Sequence, residues 1–187
     1  MGIITHKVFF LLAKVDLVQI DNARINDVCD NFFKWKDLNN SLKNFCSRGL
    51  NFPETISEPM ACYALSQIGD EVKWNKGSAG DAQREGKKLE MKATSNFDSD
   101  LTSFGPKCDF DDLIFLRLDY DNNKLYVYDT GIDAEELKTL PANQTQTVGD
   151  QQAQKRRPHI SIIDTVIEDR GLEPDVVFNI RRAEVER

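Results

Sequence analysis

Asp81 and Glu90 lie nine positions apart and Lys92 follows Glu90 by two, within Gly80-Asp81-Ala82-Gln83-Arg84-Glu85-Gly86-Lys87-Lys88-Leu89-Glu90-Met91-Lys92. Read as a hairpin, Glu85-Gly86 is the turn and the returning strand alternates. Leu89, Met91 and Ala93 face one side; Lys88, Glu90 and Lys92 face the other. Two carboxylates and an ammonium then share a face. Hydrolysis of a phosphodiester with a hard divalent cation needs this set: carboxylate oxygens to hold Mg²⁺, and a lysine to orient or activate water and offset phosphate charge. The competing reading is a solvated outer face of an amphipathic hairpin. An aspartate after a glycine, at this distance from Glu-x-Lys, is what separates the two.

Upstream, Ile56-Ser57-Glu58-Pro59-Met60-Ala61-Cys62-Tyr63-Ala64-Leu65 reads as a helix start, with Ser57 as N-cap and Pro59 in the first turn. That puts Glu58 at a helix entrance just before the hairpin. Such an acid compensates the helix dipole, and here it is also a candidate third ligand for the metal.

A helix glutamate, a strand aspartate and then Glu-x-Lys is the order of the PD-(D/E)XK nuclease superfamily. Longer runs narrow the likeness: Asn51-Phe52-Pro53-Glu54 with Ile56-Ser57-Glu58, Ala93-Thr94-Ser95-Asn96-Phe97-Asp98, Asp100-Leu101-Thr102-Ser103-Phe104-Gly105-Pro106, and Gly149-Asp150-Gln151-Gln152-Ala153-Gln154 through Arg157-Pro158. Over residues 50–181 the chain resembles a small family of type II restriction endonucleases that cut an interrupted palindrome of the GCNGC kind. Gly80 stands where the superfamily often has proline. The resemblance implies a Mg²⁺-dependent endonuclease making double-strand breaks, with Asp81 and Glu90 as ligands, Lys92 as the water-positioning group and Glu58 in support. It also implies a partner DNA methyltransferase in the same system, though not a stable complex with one.

The 187 residues are 40% hydrophobic and 29% charged, an ordinary globular composition, most simply one nuclease domain over 1–187. A net charge of -7 argues against a protein that coats nucleic acid indiscriminately. A DNA enzyme of this balance concentrates its cations, and three clusters are visible: Arg84, Lys87, Lys88 and Lys92; Lys155-Arg156-Arg157; and Arg181-Arg182 to Arg187, the last read as solvated surface. Cys29, Cys46, Cys62 and Cys108 have no Cys-x-x-Cys spacing and the histidines are His6 and His159, a set unsuited to structural zinc. Reduced thiols and a cytoplasmic location are expected. The N-terminal apolar run is interrupted by lysines and is not a signal peptide.

Residues 5–45 have helical periodicity, with Phe9, Leu12, Ala13, Leu17 and Ile20 on one stripe and Ile25, Val28, Cys29, Phe32, Phe33 and Trp35 on another. These fit helices that cover the core, or, through the aromatic trio, a dimerisation platform. A short strand at 71–74 precedes the hairpin, and a polar loop spans 94–112. Residues 113–118 form a nearly continuous apolar strand suited to a sheet centre; 124–128 return from it, a helix follows at 133–140, and 176–180 close as a last strand. The expected fold is α/β, a mixed central sheet flanked by helices, with a helical N-terminal region at 1–50 and a catalytic core at 51–181.

In the segment 149–159, Gln151, Gln152, Gln154, Lys155, Arg156, Arg157 and His159 offer amides and guanidinia suited to base edges. The loop bearing Ser95, Asn96, Thr102, Ser103 and Lys107 is the second candidate for double-stranded DNA, through phosphate and minor-groove contacts. One catalytic hairpin per chain cuts one strand, so a break in both strands of a palindrome implies a homodimer. Two rivals remain: a structure-selective nuclease such as a junction resolvase or repair enzyme, and a non-catalytic DNA- or protein-binding module on the same fold.

Overall fold

The structure, a computed structural model, describes residues 14–47, 49–77 and 80–186. Its elements are β1 (Leu17–Val18), α1 (Asn22–Lys43), α2 (Glu54–Gln67), β2 (Val72–Asn75), β3 (Ala82–Arg84), β4 (Lys87–Thr94), β5 (Thr102–Ser103), β6 (Asp112–Asp119), β7 (Lys124–Asp129), α3 (Ala134–Thr139), α4 (Val148–Ala153), β8 (His159–Ile160), a π-helical segment (Ile163–Glu168), β9 (Val176–Asn179) and β10 (Glu184–Glu186).

A central sheet runs β1-β2-β3-β4-β6-β7-β9-β10, and β5 pairs with β8 in a separate ribbon. The β4–β6 pair is parallel and the other pairs of the sheet are antiparallel. Leu113, Ile114, Phe115 and Leu116 of β6 are fully buried, because side chains alternate across the strand and both faces are covered. Leu89, Met91, Ile114 and Leu116 pack against α1 and α2; Leu113 and Phe115 pack beneath α3, α4 and the π-helical segment. The mixed sheet with helices on both faces is the architecture expected from the sequence.

Turn chemistry places the hairpin as expected. Glu85 and Gly86 have φ of 51° and 85°, the paired left-handed conformations of a two-residue turn whose twist matches the flanking strands. Leu89 and Met91 are buried while Glu90 and Lys92 are only partly covered, so the alternation across β4 holds.

The N-terminal region departs from expectation at its start and follows the core-covering reading along α1. Leu17 lies in β1, paired with Asn75, rather than on a helical stripe; Phe9, Leu12 and Ala13 lie outside the described residues. Helix α1 begins at Asn22 with Asp21 accepting from the Arg24 backbone N–H at 2.9 Å, a cap worth about 1 kcal/mol. Its stripe is Ile25, Cys29, Phe32 and Trp35. Phe32 is wholly buried and Trp35 is 7% exposed, stacked within 6.0 and 5.2 Å of the Phe52 ring. The Trp35 indole N–H donates to the Asn51 carbonyl at 3.1 Å. These two rings are core, not a dimerisation platform. Phe33 is half-covered, with the Arg181 guanidinium 5.2 Å from its ring centre.

Helix α2 starts a turn earlier than its sequence suggests. Pro53 holds the N-cap position, and Ile56 and Ser57 donate their backbone N–H groups to its carbonyl, each at 3.0 Å. Ser57 is therefore a buried helical residue and Pro59 sits inside the helix. Met60 through Leu65 are all buried, and that packing carries the helix through the missing N–H of Pro59. Four further elements have weak local signals: α4 inside the segment expected to be a recognition loop, the two-residue strands β5 and β8, and β10 after the strand expected to be last.

Candidate active site

The hairpin register pairs Ala82 with Leu89, which sets Asp81 across from Glu90 at the end away from the turn. Asp81 Oδ2 accepts the Met91 backbone N–H at 2.7 Å. Lys92 Nζ lies 2.6 Å from Glu90 Oε1, with the two side chains only 23% and 21% exposed. Glu58, in the second turn of α2 rather than at its entrance, accepts the Trp74 indole N–H at 2.9 Å. Trp74 comes from β2, the neighbour of β3. Helix α2 and three adjoining strands thus deliver the cluster.

Its electrostatics are those of crowded acids. Burial pushes the Asp81 carboxyl up to about 6; the charge of Glu90 adds to the shift, and the Met91 N–H and Lys92 pull against it. Glu58 is pushed up to about 8 by burial, with the Trp74 hydrogen bond opposing and the charges of Asp81 and Glu54 adding. Burial works against the charged form of Lys92, yet Glu90, Asp81 and Glu54 outweigh it and hold the ammonium above its ordinary range. Lys92 is therefore a cation and donor in this arrangement, not a resting base.

Glu54 is the acid that the sequence reading passed over. It stands in the first turn of α2 and acts electrostatically on Asp81, Glu58 and Lys92 alike. Starting the helix at Ser57 made Glu58 look like the first-turn acid; the signal that identifies Glu54 instead is Pro53 directly before it, since proline suits a helix boundary. Trp74 was passed over too, because its only mark is the acid it meets in space.

A cavity of about 370 Å³ opens beside the cluster, lined by Glu54, Ser57, Lys92, Ser95, Ser103 and Arg157 among others. Asp81, Glu90 and Glu58 do not line it. Among the described residues no group of three His, Cys, Asp or Glu side chains is gathered closely enough to enclose a metal ion. The donor chemistry nonetheless suits Mg²⁺. That ion retains several waters and takes one or two carboxylates together with phosphate oxygens, so it needs no protein cage. Asp81 and Glu90 are the pair to provide them, and a cation between them would relieve the repulsion that raises Asp81.

The residues expected at DNA divide. Ser95, Thr102, Ser103 and Arg157 line the cavity. Lys107, Gln154, Lys155, Arg156 and His159 are exposed and Gln151 is half-buried, while Arg156 donates to Gln146 at 2.5 Å. Asn96 donates to the Ser99 hydroxyl at 2.6 Å and borders the adjoining hollow that includes Lys43 and Tyr120. Two residues are drawn into the fold. Gln152 is 8% exposed and gives its amide to the Gly105 carbonyl at 2.8 Å, and Thr102, also 8% exposed, donates to Asp100 at 2.6 Å. In the hairpin cluster Arg84 is engaged within the fold by Asp70, Asp112 and Asp129, whereas Lys88 makes an exposed pair with Asp109 that leaves it accessible.

No helix among the described residues is long and apolar enough to cross a membrane. No solved structure matches the chain significantly. The type II restriction enzyme Bsp6I of Bacillus sp. (strain RFL6) is 47% identical over 177 residues, which span 93% of this chain and 98% of that protein. The family described as Bsp6I restriction endonuclease matches residues 20–169, from the approach to α1 through the β3–β4 hairpin to the end of the π-helical segment. A match of that extent, enclosing every element that builds the cavity, means that the chain belongs to the Bsp6I restriction endonuclease family.

Proposed function

We propose that this chain cleaves double-stranded DNA at a specific short palindrome by Mg²⁺-dependent phosphodiester hydrolysis of the PD-(D/E)XK type, acting as a homodimer in the cytoplasm. The observation that carries the reading is the register of the hairpin: Asp81 opposite Glu90, with Lys92 two residues on, beside a cavity that also holds Arg157. The similarity to Bsp6I supports the restriction activity, and the resemblance to enzymes that cut interrupted GC-rich palindromes makes a GCNGC-type site the first to test.

Asp81 and Glu90 would hold Mg²⁺, which when bound supplies Lewis-acid polarisation of the phosphate and a more acidic water. Lys92 enters as an ammonium. Its N–H groups donate to the attacking water or a phosphate oxygen, fixing the line of attack and offsetting charge at phosphorus. Arg157, exposed at the rim, suits bidentate contact with phosphate or guanine. Glu58, pushed up to about 8 by burial and accepting the Trp74 indole N–H, would support the metal, whose charge would favour loss of its proton. A homodimer follows from there being one such hairpin per chain and two strands to cut. A partner methyltransferase, acting on the same site without stable association, would protect the host DNA.

Incubation of the purified protein with supercoiled plasmid and Mg²⁺ tests this directly. Discrete fragments with a single sequence at the ends are expected, and none with EDTA. Smearing, or preference for branched DNA, would favour a structure-selective nuclease; intact plasmid under all divalent ions would favour a binding module.

A further inference from the structure

Leu101 is 73% exposed and yet lines the same cavity as Lys92 and Arg157. A lone exposed leucine ordinarily needs no explanation, and on a loose loop tip this one would need none. Its backbone, however, is fastened on both sides. The Asp100 carboxylate accepts from the Ser161 hydroxyl at 2.9 Å and from the backbone N–H groups of Ile162 and Ile163 at 3.0 Å each, capping the start of the π-helical segment. Thr102, on the other side, pairs with Ile160 in the β5–β8 ribbon. Further back, the Arg117 guanidinium donates to the Phe97 carbonyl at 2.9 and 2.6 Å, and Thr94 and Asn96 bond to Ser99. The fold thus holds an apolar side chain out in water beside two cations.

We propose that Leu101 is a specificity-determining residue that makes apolar contact with base edges in the groove of bound DNA, next to the phosphate to be cut. This rests on the reading of the cavity as the nuclease site. DNA offers both things the neighbourhood complements: phosphates for Lys92 and Arg157, and, in the major groove, the apolar C5 edge of a pyrimidine, cytosine C5–H at a G·C pair or a thymine methyl at the variable position, for a leucine. Because the flanking backbone is already ordered, the contact forms with little loss of conformational freedom. Leu101 carries no charge, so its contribution falls on base sequence rather than on non-specific affinity.

The test uses a short duplex carrying the site at which the wild-type protein cuts plasmid, a scrambled duplex of equal length, and Ca²⁺ to permit binding without cleavage. Leu101→Ser should weaken binding to the cut-site duplex about tenfold or more while leaving the scrambled duplex within about twofold. Leu101→Met, which keeps the apolar reach, should stay close to wild type on both. The proposal is overturned if the serine variant binds the cut-site duplex as wild type does, if it weakens equally on both duplexes, or if its melting temperature falls, which would make the leucine structural. If the wild-type protein cuts no plasmid and prefers neither duplex, it is the nuclease reading that fails, and the Leu101 contact is overturned with it.

Discussion

At the turn end of the β3–β4 hairpin, Arg84 lies 3.1, 3.0 and 2.6 Å from Asp70, Asp112 and Asp129. At the opposite end, Asp81, Glu90, Glu58 and Glu54 are gathered around Lys92. Both ends bury charge in similar numbers, but they resolve it differently. Burial opposes the charged guanidinium of Arg84, and its bonds to Asp112, Asp129 and Asp70 overcome that and hold its proton more tightly than usual. A five-donor planar cation can meet several carboxylates at once. Lys92 reaches only Glu90 closely, so Asp81 and Glu58 keep their desolvation and repulsion and hold their protons instead. The first end is satisfied from within the chain. The second keeps a crowding of acids that a bound cation would relieve, the pattern that makes it the candidate site.

The largest expected effect breaks this comparison at its functional end. Asp81→Ala or Glu90→Ala should lower cleavage by about a thousandfold, the several kcal/mol that metal assistance supplies to phosphoryl transfer. Binding of DNA in Ca²⁺ and the melting temperature should be little changed. A residual rate of a tenth or more of wild type in either variant would remove that residue from the site.

Arg84→Ala is the converse experiment. Removing one partner from a largely covered charge network leaves Asp70 and Asp129 without their cation and Asp112 with only Lys87 at 3.6 Å, and should destabilise the fold by about 3 kcal/mol, measured by urea denaturation. The specific activity of the remaining folded protein should be close to wild type. If Arg84→Ala were as stable as wild type but inactive, the assignment of roles to the two ends would be reversed.

Stability against pH separates the ends more finely. The folded-state values of Asp81 and Glu58, about 6 and about 8, stand above their ordinary values of 3.8 and 4.5. Between those limits the native state binds more protons than the unfolded chain, so stability falls as pH rises. The metal-free protein should melt at a higher temperature near pH 5.5 than near pH 8.5, and Glu58→Gln should flatten the upper part of that slope. A melting temperature that rises over this window would contradict the crowding of the acids.

The smallest effect concerns the Trp74 hydrogen bond. Trp74→Phe keeps the ring but removes the N–H that Glu58 accepts, and should cost about 1 kcal/mol or somewhat more where Glu58 is ionised. The loss should shrink as pH falls through about 8, where Glu58 gains its proton. A pH-independent loss would assign Trp74 to packing alone.

The sequence by itself determined whatever depends on short-range periodicity and turn chemistry. Glu85-Gly86 specified the turn, the alternation through Leu89, Glu90, Met91 and Lys92 specified the two faces, and the unbroken apolar run of β6 specified a central strand, because the Cβ direction reverses at every residue of a strand. Asp81, Glu90 and Lys92 could therefore be brought together on paper. Tertiary structure alone decided where the side chains found partners far along the chain. It carried α2 back to Pro53 and so exposed Glu54, because the packing of Met60 to Leu65 outweighs the propensity of Pro59. It turned Phe32 and Trp35 inward onto Phe52. Arg84 and Gln152 were drawn away from the DNA-facing set by Asp112, Asp129 and the Gly105 carbonyl. Residues that touch across dozens of positions leave no periodic trace in the sequence, since each side chain's final partner depends on the packing of the whole sheet and its helices.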